Sequence, residues 1–236
     1  MSEQRLIKLD RPEAGDVLTK RKVYAVTLMY PFPTAPTGYV QRLKAYWDAV
    51  DQQISRLESR AGPVKRVIHE GISKAGQGGL DAVEQINGPA LSLIKSRITS
   101  GAVFESFEDE DLFTEVIDWT RCLQIGIVNP KVSETLREGH STATKARAEH
   151  IAKRLDESLG QAEAALVITA SLRGLSLPQS AEVFNIVPPE LDALERWLRE
   201  ASDDIASSAD ERGDQDQAEP STPEQSDSGS KLWTPP

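Results

Sequence analysis

The stretch Lys22-Val23-Tyr24-Ala25-Val26-Thr27-Leu28-Met29-Tyr30 is almost continuously apolar, rich in β-branched and aromatic residues, and stopped by Pro31 and Pro33. A half-solvated strand alternates polar and apolar residues. A run without alternation is covered on both faces, as in a parallel sheet between helix layers. The signature returns at Ala164–Ala170 (Ala-Ala-Leu-Val-Ile-Thr-Ala) and, less purely, at Val64–Ile72, Ala102–Phe107 and Glu182–Val187.

The segments between these runs have helical period. Over residues 39–61 the apolar positions Val40, Leu43, Trp47, Val50, Ile54 and Leu57 are spaced 3, 4, 3, 4, 3, and Gly62-Pro63 supplies a stop. With fewer than three heptads the seam is expected to pack on a sheet, and a homodimer through helix 39–61 is the sharper alternative. A helix from Leu80 is interrupted at Asn87-Gly88-Pro89 and resumes to Thr99. Others carry Leu112, Phe113, Val116, Ile117 and Leu123, then Ala148, Ile151, Ala152, Leu155 and Leu159, then Leu191, Leu194, Trp197 and Leu198. Strands alternating with amphipathic helices predict a single α/β domain, residues 21–200, with a mostly parallel sheet flanked by helices. Residues 1–20 read as an N-terminal extension.

The chain has 236 residues and a formal net charge of -10. Residues 201–236 hold nine acids (Asp203, Asp204, Asp210, Glu211, Asp214, Asp216, Glu219, Glu224, Asp227) and two bases (Arg212, Lys231). That leaves -3 of the -10 for residues 1–200, so the body is nearly neutral. The tail offers little to bury, and ordering it would cost about 1–2 kcal/mol per residue, so a disordered acidic tail is expected over 201–236. It ends in Lys231-Leu232-Trp233-Thr234-Pro235-Pro236, where the isolated Leu-Trp pair has the format of a peptide that docks in a partner groove.

Other classes are disfavoured. The acidic balance argues against nucleic acid and anionic membranes as partners. No run approaches the ~18–20 apolar residues of a membrane span, and residues 1–22 do not read as a secretory signal, so a cytoplasmic location is expected. The single cysteine, Cys122, excludes an internal disulfide and reads as a buried structural thiol. No metal-ligand spacing or cofactor fingerprint is present, so no metal and no cofactor are assigned.

Ligands of open parallel sheets sit at the carboxyl ends of the strands, which here selects the loops Pro31–Gly38, His69–Gly79, Glu105–Asp111 and Ser171–Gln179. His69 and Glu70 end the second strand, and Glu105 and Glu108 follow the third. If those strands are neighbours, an imidazole and up to three carboxylates converge, as a cation site or an acid–base pair. The alternative is a hydrogen-bonded strand histidine beside solvated glutamates. Lys74-Ala75-Gly76-Gln77-Gly78-Gly79 precedes a helix, so Lys74 and the amides of Gly76, Gly78 and Gly79 are candidates for holding an anion, with Arg173 a further one. The spacing fits neither the P-loop nor the dinucleotide motif, and a connector is the plainer reading. Glu108-Asp109-Glu110-Asp111 places acids at a helix start, where the macrodipole favours them. Arg147 and Arg154 are placed to reach a phosphate or carboxylate, or else lie on a solvated face.

Arg147-Ala-Glu-His-Ile-Ala-Lys-Arg-Leu-Asp-Glu-Ser-Leu159, followed by Glu163-Ala-Ala-Leu-Val-Ile-Thr-Ala170, resembles the helix–strand unit of the TraB/PrgY-like α/β proteins. The segment Glu182–Arg199 is similar to bacterial proteins of the same pattern. The resemblance implies an α/β fold and a metal-dependent hydrolase with a Gly-x-Gly-His-type loop after the strand. Here that stretch is Thr169-Ala-Ser-Leu-Arg-Gly174, without histidine, so that ligand does not carry over. The expected function is a non-catalytic adaptor that presents Leu232 and Trp233 to a protein partner. The alternative is a small-ligand binder or metal-assisted hydrolase with its site at the strand ends.

Overall fold

The computed structural model describes residues 19–170 and 180–215, and the chain divides into two units, Met1–Glu195 and Arg196–Pro236. In the first unit lie β1 (Arg21–Thr27), β2 (Val64–His69), β3 (Val103–Phe104), β4 (Ala164–Thr169) and β5 (Ala181–Ile186). They form one sheet in the order β3-β2-β4-β1-β5, with every pairing parallel. The order matches their composition. All of β4 and the middle of β1 are buried, whereas β5 is mostly half-buried and β3 has only two residues. The purest apolar runs are central, and the weaker ones take the edges.

The helices are α1 (Tyr39–Ala61), α2 (Gly76–Asn87), α3 (Leu91–Thr99), α4 (Glu110–Gln124), α5 (Pro130–Ser158) and α6, which starts at Pro189. On one sheet face, Val23, Ala25, Ile68, Ala165 and Val167 pack with Phe107 and with Leu155 and Leu159 at the end of α5. The alternate residues Tyr24, Val26, Leu166 and Ile168 are buried too. Tyr24 Oη donates to the Gly62 carbonyl just past α1, and Tyr46 Oη of α1 donates to the Thr27 carbonyl. The sheet is therefore covered on both faces, as its unalternating strands require.

The α1 seam is spent on this core: Leu43, Trp47, Val50 and Ile54 are buried, and only Val40, in the first turn, is well exposed. Packing on the sheet, the reading favoured for this helix, therefore uses the seam that the alternative homodimer through helix 39–61 would have needed. Arg97 of α3, 3% exposed, is tied to α1. It pairs with Asp51, donates to Ser55 Oγ at 3.0 Å, and lies 3.2 Å from Glu58 Oε2.

Several boundaries differ from expectation. β2 ends at His69 because Gly71 turns the chain at φ +81°. β3 stops at Phe104, although Glu105 still donates its amide to Val67. Gly76–Gly79, expected in a loop, forms the first turn of α2. A Cβ on Gly79 would lie 2.4 Å from Phe104 Cε1 and 2.5 Å from the Lys74 carbonyl oxygen. Glycine is needed there to bring helix and strand together, and no ligand has to be invoked.

In the second unit the chain stays helical to Gln215, past the tail boundary expected at residue 200. Ala201, Ala206 and Ala209 supply the residue type with the highest helix propensity there. Leu232 and Trp233 lie outside the described residues, as does Arg173. Among the described residues, no helix is long and apolar enough to cross a membrane.

Candidate functional site

The connections leaving β2 and β4 run apart, because β2 leads to β3 at one edge of the sheet and β4 leads to β5 at the other. Neighbouring strands whose exits diverge leave a crevice at their carboxyl ends. A cavity of about 200 Å³ lies there, between Ile68 and His69 of β2 with the following Glu70, Val167–Thr169 of β4, and α5. Helix α5 contributes Thr144, Arg147, Ala148 and Ile151, one face at helical spacing that continues into the buried Leu155. Phe107 and Ile151 make the walls apolar.

The polar end of the cavity is a closed ion-pair network. Arg147 grips Glu108 with a two-pronged contact, Nε donating to Oε2 at 2.9 Å and Nη2 donating to Oε1. Nη2 also donates to Glu70 Oε1 at 3.0 Å. The Phe113 ring of α4 lies 5.1 Å from the guanidinium carbon, within cation–π range. Glu108 accepts from the Gly71 amide at 3.1 Å, and its side chain is 2% exposed. Glu70 Oε2 accepts from Thr169 Oγ1 at 2.7 Å and from the Ala170 amide at 2.6 Å. Burial alone would push the Glu70 carboxyl up, but the bonds from Thr169, Ala170 and Arg147 outweigh it and hold it below the ordinary carboxylate range. Burial would likewise lower Arg147, and its two carboxylates overcome that and raise it. Both groups are held charged at neutral pH.

The sequence candidates separate. Glu70 and Glu108 meet, through Arg147 and not through each other. Glu105 is turned to Arg66, which it meets at 2.5 Å, so it is not part of the cavity. The His69 ring points away from α5, toward α2. Asn87 Nδ2 lies 3.2 Å from its Nε2 and donates to it, and its Nδ1–H donates to the Glu70 carbonyl at 2.7 Å. His69 and Glu105 thus share no site, which corrects the expected imidazole–carboxylate cluster. Among the described residues, no group of three or more His, Cys, Asp or Glu side chains is arranged to hold a metal.

Of the acidic run, Asp109 caps α4 through the amides of Asp111 and Leu112, as a helix start favours. Glu108 does something else, as the buried partner of Arg147. Of its two readings, reaching a carboxylate or lying on a solvated face, Arg147 takes the first and is the hub of the site, whereas among the described residues Arg154 pairs with Glu157 on its own helix. The signal for Arg147 was its phase. It stands four residues before Ile151 and eight before Leu155, on the apolar side of α5. Nothing in the sequence marks Asn87 or Thr169 as partners.

Comparison of the chain with protein-family models, with curated proteins and with solved structures finds no match.

His69 makes one prediction about pH. Burial holds its pKa below the usual ~6.5, opposed by the bond to the Glu70 carbonyl and by the Glu70 charge. The unfolded chain then binds a proton that the folded chain refuses, so this contribution to stability is present at neutral pH. It is lost as pH falls below ~6.5, with a limiting slope of ~1.4 kcal/mol per pH unit. Urea unfolding between pH 7.5 and 5 should show this decline, and His69→Gln should flatten it. An unchanged slope in the variant would mean that another group carries the effect.

Proposed function

We propose that this protein binds a small, largely apolar molecule in the cavity between β2, β4 and α5. The observation that supports this reading most is the cavity itself: apolar walls at a strand divergence, closed at one end by Arg147 paired with Glu70 and Glu108. Its volume of about 200 Å³ exceeds the engineered apolar cavity of about 150 Å³ that takes up benzene. Binding is favoured over acid–base catalysis. Glu70 is ionised and engaged at both oxygens, which makes it a poor proton acceptor, and Arg147 is fixed as a cation. The experiment is an amide NMR titration with benzene and toluene. Shifts centred on Ile68, Val167 and Ile151 are expected, and Ala148→Phe, which fills the cavity, should abolish them. No response from either probe would defeat the reading.

A second reading concerns the chain's end. The acid-rich residues 216–236, which carry Leu232-Trp233 near their end, favour an adaptor role in which that dipeptide enters a partner's groove. Affinity capture with the full chain and with one ending at Gln215 is expected to differ by at least one partner, and identical sets count against it.

A further inference from the structure

Arg147 has more donors than its carboxylates use. Glu108 and Glu70 occupy Nε and Nη2, and Nη1 has no hydrogen-bonded partner among the described residues. Guanidinium offers five N–H donors in a fixed plane, and with Nε and Nη2 taken, both N–H groups of Nη1 remain. The side chain lines the cavity. Thr144, one turn earlier on α5, also lines it, and its hydroxyl has no recorded partner among the described residues. The site therefore presents donors beside apolar walls. Its acceptors are largely spoken for: Glu70 takes bonds from Thr169, Ala170 and Arg147, and Glu108 takes bonds from Gly71 and Arg147.

Charge decides which acceptor would suit those donors. Two glutamates against one arginine leave a net -1 at the polar end. A carboxylate or phosphate placed against Nη1 would sit close to both glutamates, at low dielectric, with no second cation among the described residues paired with them to offset the repulsion. A neutral carbonyl takes the same hydrogen bonds without that penalty. A ligand with no acceptor would leave the two donors unmet inside the cavity, at a cost of about 1–3 kcal/mol.

We infer that the ligand of this cavity is a small neutral carbonyl compound (a ketone, lactone, ester or amide on a hydrocarbon body), its oxygen held by Arg147 Nη1 with Thr144 beside it. The inference rests on the binding reading above and narrows it to a chemical class.

Four probes on one ring test it: cyclohexane, cyclohexanone, and the size-matched pair cyclohexanecarboxamide and cyclohexanecarboxylate, titrated against the full chain by amide NMR, with the infrared carbonyl stretch of bound cyclohexanone as the second readout. A charge-assisted bond is stronger than one to water, so the bound stretch is expected below its position in water, with Ala148→Phe abolishing both signals. Cyclohexanecarboxylate is expected to bind at least tenfold more weakly than cyclohexanecarboxamide. A bound ketone whose stretch lies above the water value overturns the carbonyl assignment while the cavity reading survives. Carboxylate binding at least as tight as carboxamide binding overturns the neutrality argument. If neither cyclohexane nor cyclohexanone binds, the cavity reading falls and this inference with it.

Discussion

Arg147→Met is expected to cost about 3–5 kcal/mol of unfolding free energy at pH 7, the range for removing one partner of a buried ion pair. The reason lies in what is left behind. Glu108, with its side chain 2% exposed, and Glu70 would remain as two buried carboxylates joined by no cation. In the wild type, Glu70 is held below its ordinary value. Its stabilising contribution is therefore full above the unfolded value of ~4.3 and is lost as pH falls through the folded one. In the variant that contribution shrinks. Without Arg147, burial and the neighbouring Glu108 charge push the Glu70 carboxyl up from its wild-type position, so acidification costs the variant less and the gap to wild type should narrow from pH 7 to pH 5. Urea midpoints at the two pH values check both statements. Arg147→Met with Glu108→Gln should recover a substantial part of the loss, because one charge is removed with its partner. A loss below about 1 kcal/mol, with an unchanged gap at pH 5, would falsify the buried-network account.

The second large effect is expected at Arg97. Its replacement by alanine removes the ties to Asp51, Ser55 and Glu58 and leaves the inner face of α1 without its link to α3. About 3 kcal/mol is expected, at the lower end of the buried-pair range, because the Asp51 side chain is 44% exposed and can rehydrate. Arg97→Lys should rescue little. The ammonium is a single point charge and cannot reach Asp51, Ser55 and Glu58 in the fixed plane that guanidinium provides. Calorimetric melting separates the cases: a lysine variant within about 1 kcal/mol of wild type would show that charge suffices and the fork does not matter.

The fold was largely legible because its signals are local and redundant. The unalternating run at β1 already implied cover on both faces, and the 3, 4, 3, 4, 3 spacing of α1 placed Leu43, Trp47, Val50 and Ile54 inside, where they are. The site was half legible. Glu70 and Glu108 were selected by the strand-end rule, but so were His69 and Glu105, since one residue's shift along a strand turns a side chain to the other face. Deciding among them needed the register of β2 with β3 and β4, which no single sequence carries. Arg147 kept two readings for a different reason. Charged residues on long polar helices are usually solvated, and its phase relative to Ile151 and Leu155 weighed more than its charge.

The strand order has a consequence for how the chain acquires its structure. β1 lies between β4 and β5, so the first strand synthesised has both hydrogen-bonded neighbours well over a hundred positions downstream, Lys22 aligning with Ala164 and Glu182. Its closest successor, β2, is not a neighbour at all. Such long loop closures must be completed before they are rewarded, which places this domain among slow folders despite its helix content. On the ribosome β1 emerges with no complementary edge and β2 meets only the two-residue β3, and chains halted before residue 164 should be captured by chaperones or precipitate. β4 is the keystone: its arrival joins β1 to β2 in a single step.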